Sequence, residues 1–370
     1  MIHDSIQFIK TLLKGAGQVM FQNSSWTGAF FILGIIAGAV IEGSPLVAIG
    51  AIIGLIVSTV TGYILNLPQD EGEAGLWGFN GILVGCAFPT FMGNTLLMWL
   101  ALILCAAITT WLRTGLNNVM GSWKINSLTF PFVFATWLFL LATHTLKGLN
   151  GEYMSTPSLL LSFNPSIDLN ITNLLDAWLK GISQVFLINS WLTGFLFLIG
   201  LYLSSRWAAL WAGIGSAIAL LIAIIFRASG FDIVNGLYGF SATLTGIALG
   251  CTFYTPNIKS AIWSIVAIIT TVFVQAGMNA LFEPFGIEMI GSKQYDANDD
   301  DWACEEDYVP KHRLCPSLIF TRSRTWQEVL EEMILLMKEL MVELPNLNIW
   351  KVKYITIGFN DGDLVVIKTM

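Results

Sequence analysis

Apolar residues dominate the first 290 positions in long runs rather than in the narrow stripes of a soluble helix. The runs Trp26–Ile41, Pro45–Leu65, Leu96–Leu112, Phe130–Thr145, Trp191–Leu203, Trp207–Phe226 and Ala261–Val274 are candidate membrane spans. A hydrocarbon core of about 30 Å takes roughly 20 such residues in a helix. Residues 75–91 and 236–254 are also apolar, but glycines interrupt them and they carry Asn or Ser. Segments of that kind are expected to run tilted, or to enter partway, with irregular backbone facing a cavity. Met1 to Gln22 has Lys10 and Lys14 in its middle and no distinct apolar core, so it is not a cleavable signal peptide. It reads as an interfacial helix leading into the first span.

Beyond residue 290 the pattern changes. Thr325-Trp-Gln-Glu328 forms a capping box, and Trp326, Val329, Leu330, Met333, Met337, Leu340, Met341 and Leu344 follow at helical spacing until Pro345. Trp350–Ile357 and Leu364–Lys368 predict two strands around the turn Asn360-Asp-Gly362. The expected fold class is an all-α polytopic membrane protein, continued by a small α/β tail over 289–370.

Charge follows the same division. Residues 291–370 carry 14 acidic and 9 basic side chains, against 11 and 9 in the whole of the first 290. Charged residues are 12% of the chain, about half the share of a soluble globule. Mean hydropathy is +0.69. A net charge of −7, with no basic patch, argues against nucleic acid as a partner. Asp70, Glu71 and Glu73 cluster before the first Gly-rich segment, as an ordinary solvated loop or a mouth that attracts cations.

Two segments occur twice. Gly75-Leu-Trp-Gly-Phe-Asn-Gly-Ile-Leu-Val-Gly85 is echoed in the second half by Gly236-Leu-Tyr-Gly-Phe-Ser-Ala-Thr-Leu-Thr-Gly246. Gln18-Val-Met-Phe-Gln-Asn-Ser-Ser-Trp-Thr-Gly28 is echoed at nearly the same separation by Gln184-Val-Phe-Leu-Ile-Asn-Ser-Trp-Leu-Thr-Gly194. Internal repeats in an apolar chain are how many transporters build one pathway from two related halves. The halves read as 1–150 and 151–288. Enzyme chemistry finds no support: there is no nucleotide loop after Gly75, no Ser/His/Asp arrangement and no zinc motif. No metal or cofactor is implied. His144 stands at the end of an apolar run and reads as interfacial, while Cys86, Cys105 and Cys251 lie in apolar surroundings as small hydrophobes.

These motifs, with Lys124-Ile-Asn-Ser-Leu-Thr-Phe-Pro-Phe132 and Gly277-Met-Asn-Ala-Leu-Phe-Glu-Pro-Phe-Gly-Ile287, resemble the urea transporter family over about residues 1–288. The resemblance implies two inverted repeats with re-entrant or tilted half-helices. It also implies passive permeation of urea, a multi-pass place in the cell (inner) membrane with the lipid bilayer as surroundings, and a homotrimer. Urea is planar, neutral and very polar, and leaving water costs several kcal/mol unless a wall replaces its hydrogen bonds (~4–8 kcal/mol for an uncompensated amide). A flat slot with apolar walls and an edge of oxygen acceptors meets that need. By the resemblance, Phe79 with Leu83 and Phe240 with Leu244 line the slot. Gln18 with Phe21 and Gln184 with Leu187 give a polar edge and an apolar wall at each mouth, and Thr129 gives a central hydroxyl. Phe and Leu four apart also suit plain packing, and Thr129 before Pro131 also suits a helix start.

The chain departs from the family where Thr129 is opposed by Gly291, followed by acidic residues through Asp301. The expectation is that the last helix of the second repeat, with its central threonine, is missing. An odd number of spans per half would then become even, placing the tail outside the cell with Cys304 and Cys315 free to pair. The alternatives to urea permeation are a path for ammonia or a short amide, or an inactive membrane scaffold whose tail binds a partner of unknown kind.

Overall fold

The computed structural model describes residues 2–123, 126–154 and 170–282, and the backbone of 354–360 and 363–369. It divides into two units, Met1–Asp296 and Ala297–Met370. The described part of the first unit contains thirteen α-helices. In order they are α1 Ile2–Gln18, α2 Ser25–Ile41, α3 Pro45–Ile64, α4 Gln69–Glu73, α5 Phe79–Phe91, α6 Leu96–Met120 and α7 Phe130–Ala142. After them come α8 Ile171–Ser183, α9 Trp191–Ser204, α10 Arg206–Ile225, α11 Gly230–Val234, α12 Gly239–Ile247 and α13 Ile258–Phe282. Local sequence sets many of the starts. Ser24, Thr95, Asn170 and Ser205 each accept the third helical N–H, of Thr27, Met98, Asn173 and Ala208, through their side chains.

The long helix α3 turns its small residues inward and most of its large apolar ones outward. On α3, Ala48, Gly50, Ala51, Gly54, Ser58 and Gly62 are buried, while Ile49, Ile52, Ile56 and Val60 are exposed. A water-soluble helix would do the reverse. Lipid supplies no hydrophobic drive between helices, so close backbone approach through small side chains takes its place. Four described helices, α3, α6, α10 and α13, are long and apolar enough to cross a membrane. α8 and α9, bent by 73° at a short break, form a fifth candidate. This is a multi-pass membrane protein.

Three expectations change in detail. The run Phe130–Thr145 yields α7, whose 13 residues reach only about 20 Å. Leu146 and the residues around it turn back instead, with Gly93 N–H donating to Asn150 O and Tyr153 N–H donating to Phe91 O. The run beginning at Leu96 goes the other way, continuing as helix to Met120. The interfacial N-terminal helix is also more deeply built in than its lysines imply. Thr11, Ala16, Val19 and Met20, on and just beyond α1, are fully buried, whereas Ile6 and Ile9 stay exposed.

Residues related by the repeat make the same contacts. A Cβ at Gly28 would collide with Leu13 O, and one at Gly194 would collide with Leu179 O. Phe21 and Leu187 both take positive φ (62° and 58°), as do Gly75 and Gly236 (81° and 67°). The contacts between α2 and α9 are reciprocal. Thr27 Oγ1 donates to Gly200 O at 2.8 Å, and Thr193 Oγ1 donates to Gly34 O at 2.8 Å. Phe31 meets its own counterpart Phe197, ring centroids 4.8 Å apart. Thr27→Val and Thr193→Val are therefore expected to cost the same, about 1 kcal/mol each, in thermal unfolding in detergent. Costs that differ by more than a few tenths would contradict equivalent roles.

In the second unit, β1 (Tyr354–Asn360) pairs antiparallel with β2 (Asp363–Thr369), from Tyr354↔Thr369 to Asn360↔Asp363. Asp361 and Gly362 lie between them, where the Asn-Asp-Gly turn was expected. The predicted helix from Thr325, the Cys304–Cys315 pairing, the missing last helix and the position opposite Thr129 all lie outside the described residues.

Candidate functional site

α5 is the most enclosed element, with Phe79 through Phe88 all buried. Glycines allow this. Gly50 and Gly54 of α3 face Gly85 and Gly81 of α5 so closely that a Cβ on any of the four would strike a carbonyl oxygen across the contact. In the second half Gly215 faces Ala242 and Gly246 faces Trp211, a looser version of the same contact. Each Gly-rich segment thus becomes a short helix pressed into the centre. α12 ends in a π-helical turn at Ala248–Thr252. Such turns widen a helix locally and are frequent at functional sites.

The apolar candidates of both halves belong to the one apolar core that the halves share. Phe79, Leu83, Leu187 and Phe240 are buried within it, and Phe21 and Leu244 pack against it half-buried. Phe21 also meets Phe253 from beyond α12, ring centroids 5.6 Å apart. The glutamines take matched places. Gln18 Nε2 donates to Ala74 O (2.8 Å) and Gln184 Nε2 donates to Asn235 O (2.9 Å), each time the carbonyl just before the positive-φ glycine. Their amide nitrogens are used to hold the Gly-rich segments in place.

Thr129 stands half-buried at the start of α7, and its hydroxyl makes no capping bond to the helix. It does hold the helix-start position, its carbonyl accepting Val133 N–H at 3.1 Å, but the side-chain bond expected there is not made. Its turn is held from outside by Asn80, which donates to Leu128 O (3.3 Å) and accepts from Phe132 N–H (3.2 Å). Asn117 Oδ1 accepts Ser127 N–H at 2.9 Å, and Leu128 takes φ 45°. Thr129 is therefore fixed beside the N-terminus of α5, by the side chain that directly follows Phe79.

Asn80, Asn189 and Asn235 were not singled out in the sequence. Asn189 Nδ2 donates to Asn235 Oδ1 (2.8 Å), beside the Gln184 bond to the same residue, and its own Oδ1 is buried without a partner among the described residues. A signal existed: Asn23 and Asn189 share the repeated motif, and Asn80 interrupts an otherwise apolar segment. Buried polar side chains in such segments need partners. No group of His, Cys, Asp or Glu suited to a metal occurs among the described residues.

Comparison with known proteins gives the family. The family model described as Urea transporter matches residues 9–291. The chain belongs to the urea transporter family. It is similar to Urea transporter 1 of Ovis aries, 26% identical over 289 residues that cover 76% of this chain and 73% of that protein. Urea transporter 1 of Mus musculus is 27% identical over 279 residues, covering 74% and 71%, and that of Rattus norvegicus is 28% identical over 282, covering 75% and 71%. Membership of the urea transporter family places the chain among passive transporters rather than enzymes. The matched residues contain both Gly-rich segments and end at the beginning of the charged tail.

Proposed function

We propose that this protein is a passive, channel-like path for urea through a flat slot between its two halves, which run as inverted repeats (1–150 and 151–288). The observation that carries the reading is that Phe79, Leu83 and Phe240, from the two Gly-rich segments, belong to one apolar core shared by the halves, with Leu244 packed against it. Aromatic rings suit the faces of a planar amide. Urea then needs oxygens at its edge to replace water. Thr129, with a hydroxyl that does not cap the helix, sits in the turn held by Asn80, the residue after Phe79. Ser127 Oγ and Thr243 Oγ1 are buried acceptors without hydrogen-bond partners among the described residues. Phe21 with Gln18, and Leu187 with Gln184, form the two mouths. The setting is the cell (inner) membrane, and the assembly a homotrimer in which each protomer carries its own path.

Urea efflux from proteoliposomes, followed by light scattering, tests the reading. Rapid efflux is expected from the wild type. Thr129→Val, similar in shape but unable to accept, is expected to slow efflux about tenfold, the cost of roughly one unmet hydrogen bond. Well-folded protein with no efflux above empty vesicles would overturn it. Competition by ammonia or a short amide separates urea from those permeants.

A further inference from the structure

We propose that Arg113, paired with Glu71, is a positioning residue that holds the Phe79 ring and thereby sets the width of the slot; this rests on the reading of Phe79 as a slot wall. Arg113 lies in α6, a helix that is apolar from Leu96 to Leu112 apart from Thr109 and Thr110. Its side chain is only 7% exposed. A buried cation in such a helix is costly and needs specific partners. Two are present. Nη1 lies 2.8 Å from Glu71 Oε2, and the guanidinium carbon stands over the Phe79 ring, 5.9 Å from its centroid.

The geometry gives the pair a task beyond neutralisation. Glu71 belongs to α4 on the acidic turn before Gly75, so that turn is tied to the interior rather than simply solvated. The ion pair fixes the guanidinium, and the guanidinium restricts the ring from one side. With α5 pressed against α3 by glycines, the backbone of Phe79 is also held. The ring then has little freedom left with which to widen a slot on its other side.

The second half uses a different device. Aligning Gly115 with Gly277 places Gln275 at the position of Arg113. Gln275 is buried and donates through Nε2 to Leu237 O, at the start of the segment that carries Phe240. Both long helices therefore send a buried polar side chain toward a Gly-rich segment, and in the first that side chain is a cation over the phenylalanine.

The test compares efflux of urea and N,N′-dimethylurea from the same batch of vesicles. Dimethylurea keeps the planar core but is wider. The wild type is expected to favour urea strongly. Arg113→Gln, the residue used by the second half, is expected to raise the dimethylurea-to-urea ratio about fivefold by freeing the ring. Arg113→Lys should raise it too, because an ammonium lacks the planar face of a guanidinium. Glu71→Gln changes a side chain that is one-third exposed and tests the same restraint if the Arg113 variants fail to fold. An unchanged ratio in folded Glu71→Gln and Arg113→Gln overturns the positioning role alone. A wild type that carries no urea overturns both this role and the slot.

Discussion

Gly54→Ala is expected to leave little or no folded protein in the membrane. The added methyl would land on the carbonyl oxygen of Gly81, and Gly81 in turn leans on Gly54 O. The clash is backbone against backbone, so no rotamer change relieves it, and α5 cannot retreat because Phe79 through Phe88 are already enclosed. Overpacking typically costs about 1–3 kcal/mol, and rigid contacts exceed that. α3 and α5 would have to separate, which opens the cluster holding Phe79 and Leu83. Gly115→Ala serves as the control. Gly115 is an exposed helical glycine whose added Cβ would meet nothing within 4 Å. Alanine there should stabilise by about 0.5–1 kcal/mol through helix propensity. Size-exclusion profiles and thermal unfolding in detergent decide the matter. Normal yield and melting of Gly54→Ala would refute the close packing of α3 on α5.

Asn80→Leu should be the most damaging polar substitution near the slot. Leucine keeps the approximate volume of the side chain but can neither donate to Leu128 O nor accept from Phe132 N–H. Each backbone group left unpaired in a buried setting costs about 1–3 kcal/mol, so a loss of roughly 3 kcal/mol is expected. Function should fall further than stability alone explains. Asn80 brackets the turn that carries Thr129, with one bond on each side of it, and Leu128 holds a positive φ that leucine would not choose unaided. Freed from this clamp, Thr129 loses its fixed place. Urea efflux per folded protein is expected to drop about tenfold, comparable to Thr129→Val, from the same lost hydrogen bond. Unchanged efflux with a lowered melting temperature would restrict Asn80 to a stabilising role and detach Thr129 from the path.

Much of the fold could be read directly. Runs of apolar residues located the long helices because lipid demands continuous apolar surface and internally satisfied backbone. The Gly-rich segments were recognisable as something other than spans because glycine and Asn are poorly suited to a lipid-facing helix. The repeat then paired Phe79 with Phe240 and Gln18 with Gln184, and the structure gives these pairs matched settings. Less legible was the length of α7. Phe130–Thr145 is apolar enough for most of a span, and only the return of residues 146–154 onto Phe91 and Gly93 ends it early.

A multi-pass membrane protein of the urea transporter family, built from two related halves and followed by a charged tail, could be recognised without any coordinates. Those properties reside in local composition and in motifs spaced along the chain. The fold was needed to learn that Asn80 clamps the Thr129 turn, that Thr27 and Thr193 exchange bonds with Gly200 and Gly34, and that Arg113 stands over Phe79. The difference is one of range. Hydropathy and helix capping act within a turn or two of helix, whereas these contacts join positions on separate helices, in one case from opposite halves of the chain. Nothing in the local chemistry of an arginine or asparagine names the distant group that will satisfy it. Packing does that, once small residues have let the helices close.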